Sequence, residues 1–269
     1  MKPQLDQQSG AVILPFDRFQ YSHNEASRVS AATSLAISMC AQKAGAATGK
    51  AVKPAVDPAY DSEDYFGPWT TAQAQAFAFV IPESQRDLVA NGVLTASVGD
   101  AGRQRSPGPF ANLSEEDQNL VGKCTSSDPL VKRLISEQDQ DGPWSAAIKE
   151  IDHRMESLDA PGTAALVGDL DRCFESKGLS KALGPQPWLP AGASGNAITE
   201  EQIGMALKVV ACKDEIGFTQ RMADIQAALQ APVIAKYAGE LAAKRAALDD
   251  ALTAADQLLD QNADRLMNR

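Results

Sequence analysis

The sequence has few of the residues from which active sites and metal centres are usually built. Among its 269 residues there are two histidines and four cysteines, and aromatic residues make up 6% of the chain. Histidine is the commonest general base and a frequent metal ligand, so catalysis of that kind would depend on His23 or His153. Asp152 directly precedes His153 in a helical pattern, and adjacent residues on a helix do not face each other. We therefore expect no catalytic residues, no metal site and no cofactor.

Two stretches come close to known catalytic or phosphate-binding motifs but have the wrong spacing. Residues 192–195 (Gly-Ala-Ser-Gly) are one residue short of the G-x-S-x-G turn that exposes a nucleophilic serine. Residues 45–51 have one residue too few between their glycines for a phosphate-binding loop, and Ala51 stands where Ser or Thr would hold magnesium. Neither motif therefore indicates hydrolase or nucleotide chemistry.

Clusters of positive charge and long apolar runs are also missing. The net charge is −10, which disfavours nucleic acid and anionic membranes as partners, since both attract clustered Lys and Arg. An acidic surface is also an ordinary means of staying soluble. No apolar run approaches the ~20 residues of a transmembrane helix. The chain opens with polar residues and no apolar signal segment, so we expect residues 1–12 to form a flexible tether, with any export signal outside this sequence.

Abundant alanine dominates what the sequence does contain. Hydrophobic residues make up 44% of the chain, and alanine favours closely packed helices, whereas strands favour aromatic and β-branched residues. The sequence therefore predicts a mainly α protein: an irregular, disulfide-stapled helical bundle with long loops and a long C-terminal helical hairpin or kinked helix. We expect residues 13–269 to form a single helical domain, with 13–140 and 141–269 as alternative sub-halves.

Three of the four cysteines share a sequence context. Cys40, Cys173 and Cys212 each lie near the end of a helical pattern and are followed five residues later by glycine, the usual residue just beyond a helix. The alternatives are four buried thiols, which pack as small hydrophobes, and two disulfides, which we favour. Three connectivities are open. We expect Cys40–Cys124 and Cys173–Cys212, which staple the two halves separately and indicate an oxidising compartment.

The last third of the chain has the clearest helical pattern. Thr199 and Gln202 fit a capping box at the start of a helix. After Gly217 a second helical pattern follows, which Pro232 should kink or break. A near-heptad stripe then either packs within its own domain or pairs two chains, so we expect a monomer, with a homodimer through 233–266 as the alternative. The stripe consists of Tyr237, Leu241, Leu248, Leu252, Ala255, Leu259 and Leu266.

One predicted loop is rich in aromatic residues. Residues 45–70 contain Gly, Pro and Asp together with four aromatic side chains, and loops carry binding residues more often than the elements they connect. The rings either bind a ligand or fill gaps between helices. As candidate ligand-binding residues we take Tyr60, Tyr65, Phe66 and Trp69, facing a small molecule, a peptide or a component of the cell envelope.

Short motifs recur in order along most of the chain. The first is Leu14-Pro15-Phe16-Asp17, followed by a helix that ends at Met39-Cys40 with Gly45 beyond. The second is Asp171-Arg172-Cys173-Phe174, followed by Gly178 and Pro185. The third is Val210-Ala211-Cys212-Lys213, followed by Gln230 and a long Ala/Leu helix.

These motifs resemble the LPLD…CM…G, W-x-x-C-M…G…P and A-D-x-x-C-K…Q elements of a family of actinobacterial secreted proteins and lipoproteins. The chain departs from the family pattern in places: Phe16 and Ala41 replace the usual Leu and Met, no tryptophan closely precedes Cys173, and Pro232 interrupts the final helix. Members are described mostly as hypothetical secreted proteins or lipoproteins. The resemblance therefore implies a compartment and helicity, but no activity and no catalytic residues.

Together these observations predict a non-catalytic binding protein of the bacterial envelope. We expect it to be extracellular or on the outer face of the cell membrane, either secreted or lipid-anchored. The first alternative is a structural or immunity-like interaction module that uses the C-terminal helix. The second is an enzyme of unfamiliar type that relies on carboxylates alone, which a buried pair of carboxylates in a cleft would indicate.

Overall fold

The computed structural model describes residues 1–54, 65–81, 108–135, 142–182 and 186–267. Within these ranges the protein is mainly helical, which confirms the predicted fold class. The helices are α1 (His23–Lys43), α2 (Thr71–Phe77), α3 (Glu115–Ser127), α4 (Pro129–Ile135), α5 (Ser145–Glu156), α6 (Thr163–Ser176), α7 (Glu200–Ile216), α8 (Phe218–Lys236) and α9 (Ala238–Gln261). Four two-residue strands are present as well: β1 (Gln4–Leu5), β2 (Val12–Ile13), β3 (Ala51–Val52) and β4 (Leu266–Met267).

The chain divides into two compact units, each assembled from three separate stretches. The first unit comprises Met1–Arg18, Asp57–Thr95 and Pro143–Ala238, and the second comprises Phe19–Val56, Ala96–Gly142 and Gly239–Arg269. The predicted sub-halves 13–140 and 141–269 each contain stretches of both units. Hydrophobic periodicity locates an element and its buried face, but it does not show which distant element covers that face.

The second unit is built around α1. Its N-terminus has a full capping box, in which the Ser22 hydroxyl accepts from the Glu25 N–H and the Glu25 carboxylate accepts from the Ser22 N–H, so the first turn is fixed locally. The apolar face of α1 then packs against α4 and α9. This core contains Val29, Ala32, Leu35, Ala36, Val131, Leu134, Ala254, Ala255, Leu258 and Leu259.

The near-heptad stripe of α9 packs largely within the second unit. Leu248, Ala255 and Leu259 are buried there, and the hydroxyl of Tyr21 donates to the Leu248 carbonyl oxygen at 3.1 Å. This agrees with packing in its own domain, one of the two predicted alternatives, although a homodimer through 233–266 stays a prediction. The register is secured further by ion pairs such as Arg28–Asp256, at 3.0 Å. Half-exposed pairs of this kind add only about 0–1 kcal/mol each.

A disulfide holds α3 against α1. Cys40 and Cys124 are bonded, with their Cα atoms 5.9 Å apart, which confirms this half of the predicted pairing. Cys124 is the one buried residue of α3, and the cluster around it adds only Ala41 and Ala46 as buried members. α3 also packs along α1 and α4, where Leu120 and Val121 are partly buried, so the disulfide reinforces a thin apolar interface.

The first unit has a larger apolar interface around its disulfide. Cys173 and Cys212 are bonded with their Cα atoms 5.6 Å apart, as predicted, and they join α6 to α7. These two helices pack on each other and on α8, while α2 packs on α7 and α5 packs on α8. The buried side chains of the three central helices include Leu166, Leu170, Phe174, Val209, Val210, Phe218 and Met222.

Glycines end the helical segments that carry three of the cysteines. Gly45, Gly178 and Gly217 have φ values of +103°, +72° and +63°, the left-handed conformation predicted for residues just beyond a helix. Pro232, in contrast, does not break the helix. It lies inside α8, which continues to Lys236, so the proline removes one hydrogen-bond donor without ending the element.

The first residues of the chain form a hairpin where the sequence predicts a flexible tether. β1 and β2 pair antiparallel, with Gln4 opposite Ile13 and Leu5 opposite Val12. The carboxylate of Asp6 accepts from the Gln8 N–H at 2.9 Å and from the Ser9 hydroxyl at 2.7 Å. The polar residues that favour a tether on composition alone therefore form the turn of this hairpin.

The second unit is closed by a short parallel pair of strands. Ala51 of β3 lies opposite Leu266 of β4, and the Lys53 N–H donates to the Met267 carbonyl at 3.0 Å. No helix within the described ranges is long and apolar enough to cross a membrane.

The two disulfides should differ in what they hold in place. With loops of 84 and 39 residues, the chain-entropy estimate gives each about 4–5 kcal/mol, but only α3 lacks a large apolar interface. We expect Cys40→Ala/Cys124→Ala to abolish amide-exchange protection of residues 115–127 under native conditions. The matched pair Cys173→Ala/Cys212→Ala should lower the unfolding free energy while α6 and α7 stay protected. Equal local loss in both variants would contradict this difference.

Candidate functional site

The predicted ligand-binding residues lie in a buried turn of the first unit. Tyr60 falls outside the described residues, whereas Tyr65, Phe66 and Trp69 are 2%, 0% and 2% exposed. They belong to the turn 65–70, which leads directly into α2. Their rings are covered by protein atoms, which agrees with the alternative that they fill gaps between helices. A ligand-binding role for them stays a prediction.

Lys213 of α7 holds this turn through its amine. The side chain is 1% exposed, and Nζ donates to the carbonyl oxygens of Phe66 and, at 3.3 Å, of Pro68. Nζ also lies 5.6 Å from the ring centroid of Phe218. Among the described residues no carboxylate forms an ion pair with it. Burial lowers the pKa of Lys213 to about 7, because a charged ammonium is disfavoured where water is excluded.

A second polar chain runs from the same turn towards α5. The hydroxyl of Tyr65 donates to Gln226 Oε1 at 2.5 Å, and Gln226 Nε2 donates to Asp152 Oδ1 at 3.3 Å. Burial raises the pKa of Asp152, an effect that the hydrogen bond from Gln226 opposes and that nearby Glu156 reinforces. The ring of Tyr65 also meets Trp188 edge to face, with centroids 6.0 Å apart.

Gln73 of α2 connects the turn to the N-terminal hairpin. Its Oε1 accepts from the backbone N–H groups of Trp69 and Thr70, both at 3.1 Å. Its Nε2 donates to the Gly10 carbonyl oxygen at 3.2 Å, and the indole N–H of Trp69 donates to the same oxygen at 2.7 Å. The Gly10 carbonyl oxygen thus accepts hydrogen bonds from two side chains, one in the turn and one in α2.

Gln230 of α8 plays a similar part for the segment that follows the hairpin. It is 2% exposed, and its Oε1 accepts from the Phe16 N–H at 3.0 Å. Gln73, Lys213, Gln226 and Gln230, which we call the clamp residues, share one property: each is almost fully buried on a helix and bonds to the turn 65–70 or to residues 10–16.

Sequence reasoning did not identify the clamp residues as functional. Buried Lys and Gln are rare, and long polar side chains in a helical pattern are normally assigned to the solvent face. Two signals were nevertheless present. Lys213 follows Val209 and Val210 by four and three residues and thus continues their buried face. Lys213 and Gln230 are also residues of the third motif that resembles the actinobacterial family.

The arrangement suits holding loops better than acid–base chemistry. The clamp residues form their hydrogen bonds mainly with backbone carbonyls and N–H groups, and Gln226 bonds to the phenol of Tyr65 and the carboxylate of Asp152. His23 begins α1 and His153 lies on α5, both exposed, and neither joins the clamp residues. Within the described part of the chain no three His, Cys, Asp or Glu residues are grouped to hold a metal ion.

Two buried polar atoms lack a hydrogen-bond partner among the described residues: Asp171 Oδ1 and Trp188 Nε1. Both belong to the first unit. The other oxygen of Asp171 accepts from Lys181 Nζ at 2.5 Å, so this carboxylate is already paired. The indole of Trp188 is therefore the more exceptional group, because it is a buried donor with no acceptor.

An open depression lies on the surface of α3 in the second unit. Its volume is about 530 Å³, and it is lined by Glu115, Glu116, Asn119, Leu120 and Lys123. It is shallow, and the apolar contribution to its lining comes mainly from one leucine. Ligand pockets normally combine apolar walls with a few converging polar groups, and this depression lacks the apolar walls.

Comparisons with known proteins do not identify a relative: no family model, no curated protein and no solved structure matches the chain. The resemblance to the actinobacterial family therefore stays a prediction.

The close approach of Gly10 to Gln73 gives a direct test of the hairpin contact. A Cβ at position 10 would lie 1.8 Å from Gln73 Nε2, at a φ of +76°. We expect Gly10→Ala to cost about 2–4 kcal/mol of unfolding free energy, from backbone strain plus a forced shift of the clamp. Gly178→Ala is the matched control, because its φ is +72° and nothing lies within 4 Å. Urea unfolding showing equal losses for both variants would argue against the contact.

The Tyr65–Gln226 bond should show strong coupling. Tyr65→Phe leaves Gln226 Oε1 without its donor, which should cost about 1–3 kcal/mol. The double variant Tyr65→Phe/Gln226→Met should lose less than the sum of the single variants, because the unpaired amide oxygen that Tyr65→Phe leaves at position 226 is no longer present. Gln220→Met on the exposed face of α8 should change stability by less than about 0.5 kcal/mol. Additive losses in urea unfolding would rule the coupling out.

Proposed function

We propose that this protein is a non-catalytic binding protein of the bacterial envelope that works outside the cytoplasm, either secreted or lipid-anchored. The observation that carries the proposal is the complete pairing of its cysteines. All four form disulfides, and each compact unit contains one of them. Structural disulfides persist in oxidising compartments and are rare where thioredoxin and glutathione keep thiols reduced.

The disulfide of the second unit is the stronger support for an oxidising compartment. A buried disulfide can be a minor addition to a well-packed core, but α3 buries only Cys124. Reduction would leave this helix attached by the partly buried Leu120 and Val121 and by the small cluster with Ala41 and Ala46. A protein whose element depends on a disulfide in this way is suited to a compartment in which the bond is stable.

Binding is supported by the way in which irregular segments are held. The clamp residues fix the turn 65–70 and residues 10–16 to the helices of the first unit. In the same unit, Gln202 of α7 accepts from the Ser194 N–H at 2.8 Å and donates to the Gly192 carbonyl at 2.9 Å. Preorganised loops lose less conformational entropy on binding, and loops on a rigid scaffold are common recognition sites.

The compartment is tested in cells that produce the natural protein. We expect protease added to intact cells to degrade the cell-bound protein, with the rest in the culture medium, while a cytoplasmic marker stays intact. The four cysteines should resist alkylation until a reductant and a denaturant are added together. A protein recovered in the cytoplasm with four reactive thiols would defeat the proposal.

The binding activity is tested with purified protein and fractions of the envelope. Cell-wall glycopeptides, lipoglycans and peptides are added separately, and unfolding is followed by calorimetry. A ligand at 100 times its Kd should stabilise the folded state by about 2.7 kcal/mol. The added compound is then recovered by mass spectrometry. An unchanged compound supports binding, whereas conversion to a product would replace binding by catalysis.

A further inference from the structure

Lys213 has a buried amine, and no carboxylate among the residues that the structure describes contacts it. We propose that the turn 65–70 is a proton-coupled latch: it closes with Lys213 buried as a neutral amine, and it opens as Nζ reaches water and takes up one proton. This inference concerns the conformation of the first unit and does not depend on the proposed function.

The geometry of the closed turn fits an uncharged amine. Nζ donates to two acceptors, the carbonyl oxygens of Phe66 and Pro68, and it also lies 5.6 Å from the ring centroid of Phe218. A neutral amine has two N–H hydrogens, so both acceptors are satisfied without a third donor. An ammonium would place a third N–H and a full charge in a site that is 1% exposed, which is costly without a counter-ion.

Within the described part of the chain, the elements that pack around Lys213 supply no counter-ion. α2, α6 and α8 pack against α7. α2 has no titratable side chain, and the hydroxyl of Tyr65 in the turn donates to Gln226. On α6, α7 and α8, Asp169 pairs with Arg172 and Arg221, Asp171 with Lys181, and Glu215 with Lys177. No contact with Nζ is described for Glu175, Asp214 or Asp224.

The direction of the pH effect follows from this burial. The pKa of Lys213 is about 7 in the closed turn, against 10.5 for an ordinary lysine, the value expected once the side chain reaches water. Between these values the open turn binds more protons than the closed turn. Closure therefore strengthens about tenfold for each pH unit from 7 towards 10.5, and below pH 7 it changes no further.

Opening would change what the first unit presents to its surroundings. Loss of the Lys213 hydrogen bonds would release the segment that contains Tyr65, Phe66 and Trp69, which are all buried in the closed turn. The equilibrium favours the closed turn least at neutral pH and below, and it favours the closed turn more as the pH rises towards 9. The aromatic rings of the predicted binding loop would thus become accessible more often at neutral pH than at pH 9.

The titration is measured on the wild-type protein by NMR of ¹³C-labelled lysine. We expect one Cε resonance to titrate near neutral pH and the others near their ordinary values. The assignment uses Lys213→Met, which should remove that resonance. If every lysine titrates above about pH 9, the latch does not exist, and this result needs no variant to fold.

Opening itself is measured by amide exchange of residues 65–70, corrected for the intrinsic pH dependence of exchange. We expect the opening equilibrium constant to fall about a hundredfold from pH 7.5 to 9.5, following the tenfold change per unit. Lys213→Met should abolish the slope, whereas Lys208→Met, at an exposed position of the same helix, should retain it. A slope that persists in Lys213→Met, or that is missing from the wild type, overturns the proposal.

Discussion

Backbone polar groups that have no place in a helix or sheet must still find partners when they are buried. In the first unit this constraint falls on the turn 65–70 and on residues 10–16, which lie against helices without joining a large sheet. The helices meet it with long polar side chains. Lys213 reaches two carbonyl oxygens of the turn, and Gln230 reaches the N–H of Phe16. The packing of the aromatic rings depends on these bonds, because the bonds fix the backbone from which the rings project.

The two units are stabilised by different combinations of disulfide and apolar contact. In the first, the disulfide adds to a broad apolar interface among α6, α7 and α8. In the second, the disulfide to α3 supplements a small apolar interface, since that helix fully buries a single residue. A chain rich in alanine has small side chains to bury, and each contributes little hydrophobic free energy. Covalent bonds and buried polar contacts therefore carry more of the structural specificity than in a core of large residues.

Local signals in the sequence were sufficient for the helix ends. The glycines that follow Cys40, Cys173 and Cys212 have the left-handed conformation expected just beyond a helix, and Thr199 caps α7 as predicted. The pairing of Cys40 with Cys124 and of Cys173 with Cys212 also matches. The helix ends depend on neighbours along the chain, so a local pattern predicts them. The cysteine pairing was one of three open connectivities, and the local pattern alone does not choose among them.

Features that depend on distant partners were not predictable in this way. The capping box predicted at Thr199 and Gln202 forms only in part. Thr199 does accept from the Gln202 N–H at 3.2 Å, but the side chain of Gln202 turns instead to the loop at Gly192 and Ser194. Polarity alone predicts exposure for Lys213, which tertiary contacts bury. The pairing of residues 4–5 with 12–13 was missed because the polar composition does not show that the two segments pair.

The interleaving of the two units has a consequence for the order in which the protein matures. The core of the second unit joins Val29 and Leu35 near one end of the chain to Ala255 and Leu259 near the other, and β3 is completed by Leu266 and Met267. Contacts so far apart in sequence form slowly, because a long loop must close first. The part of the apolar face of α1 that α9 covers consequently stays exposed until residues beyond 254 are available, whereas Val131 and Leu134 of α4 can cover another part earlier. During synthesis or transport this helix is the surface most in need of protection from aggregation.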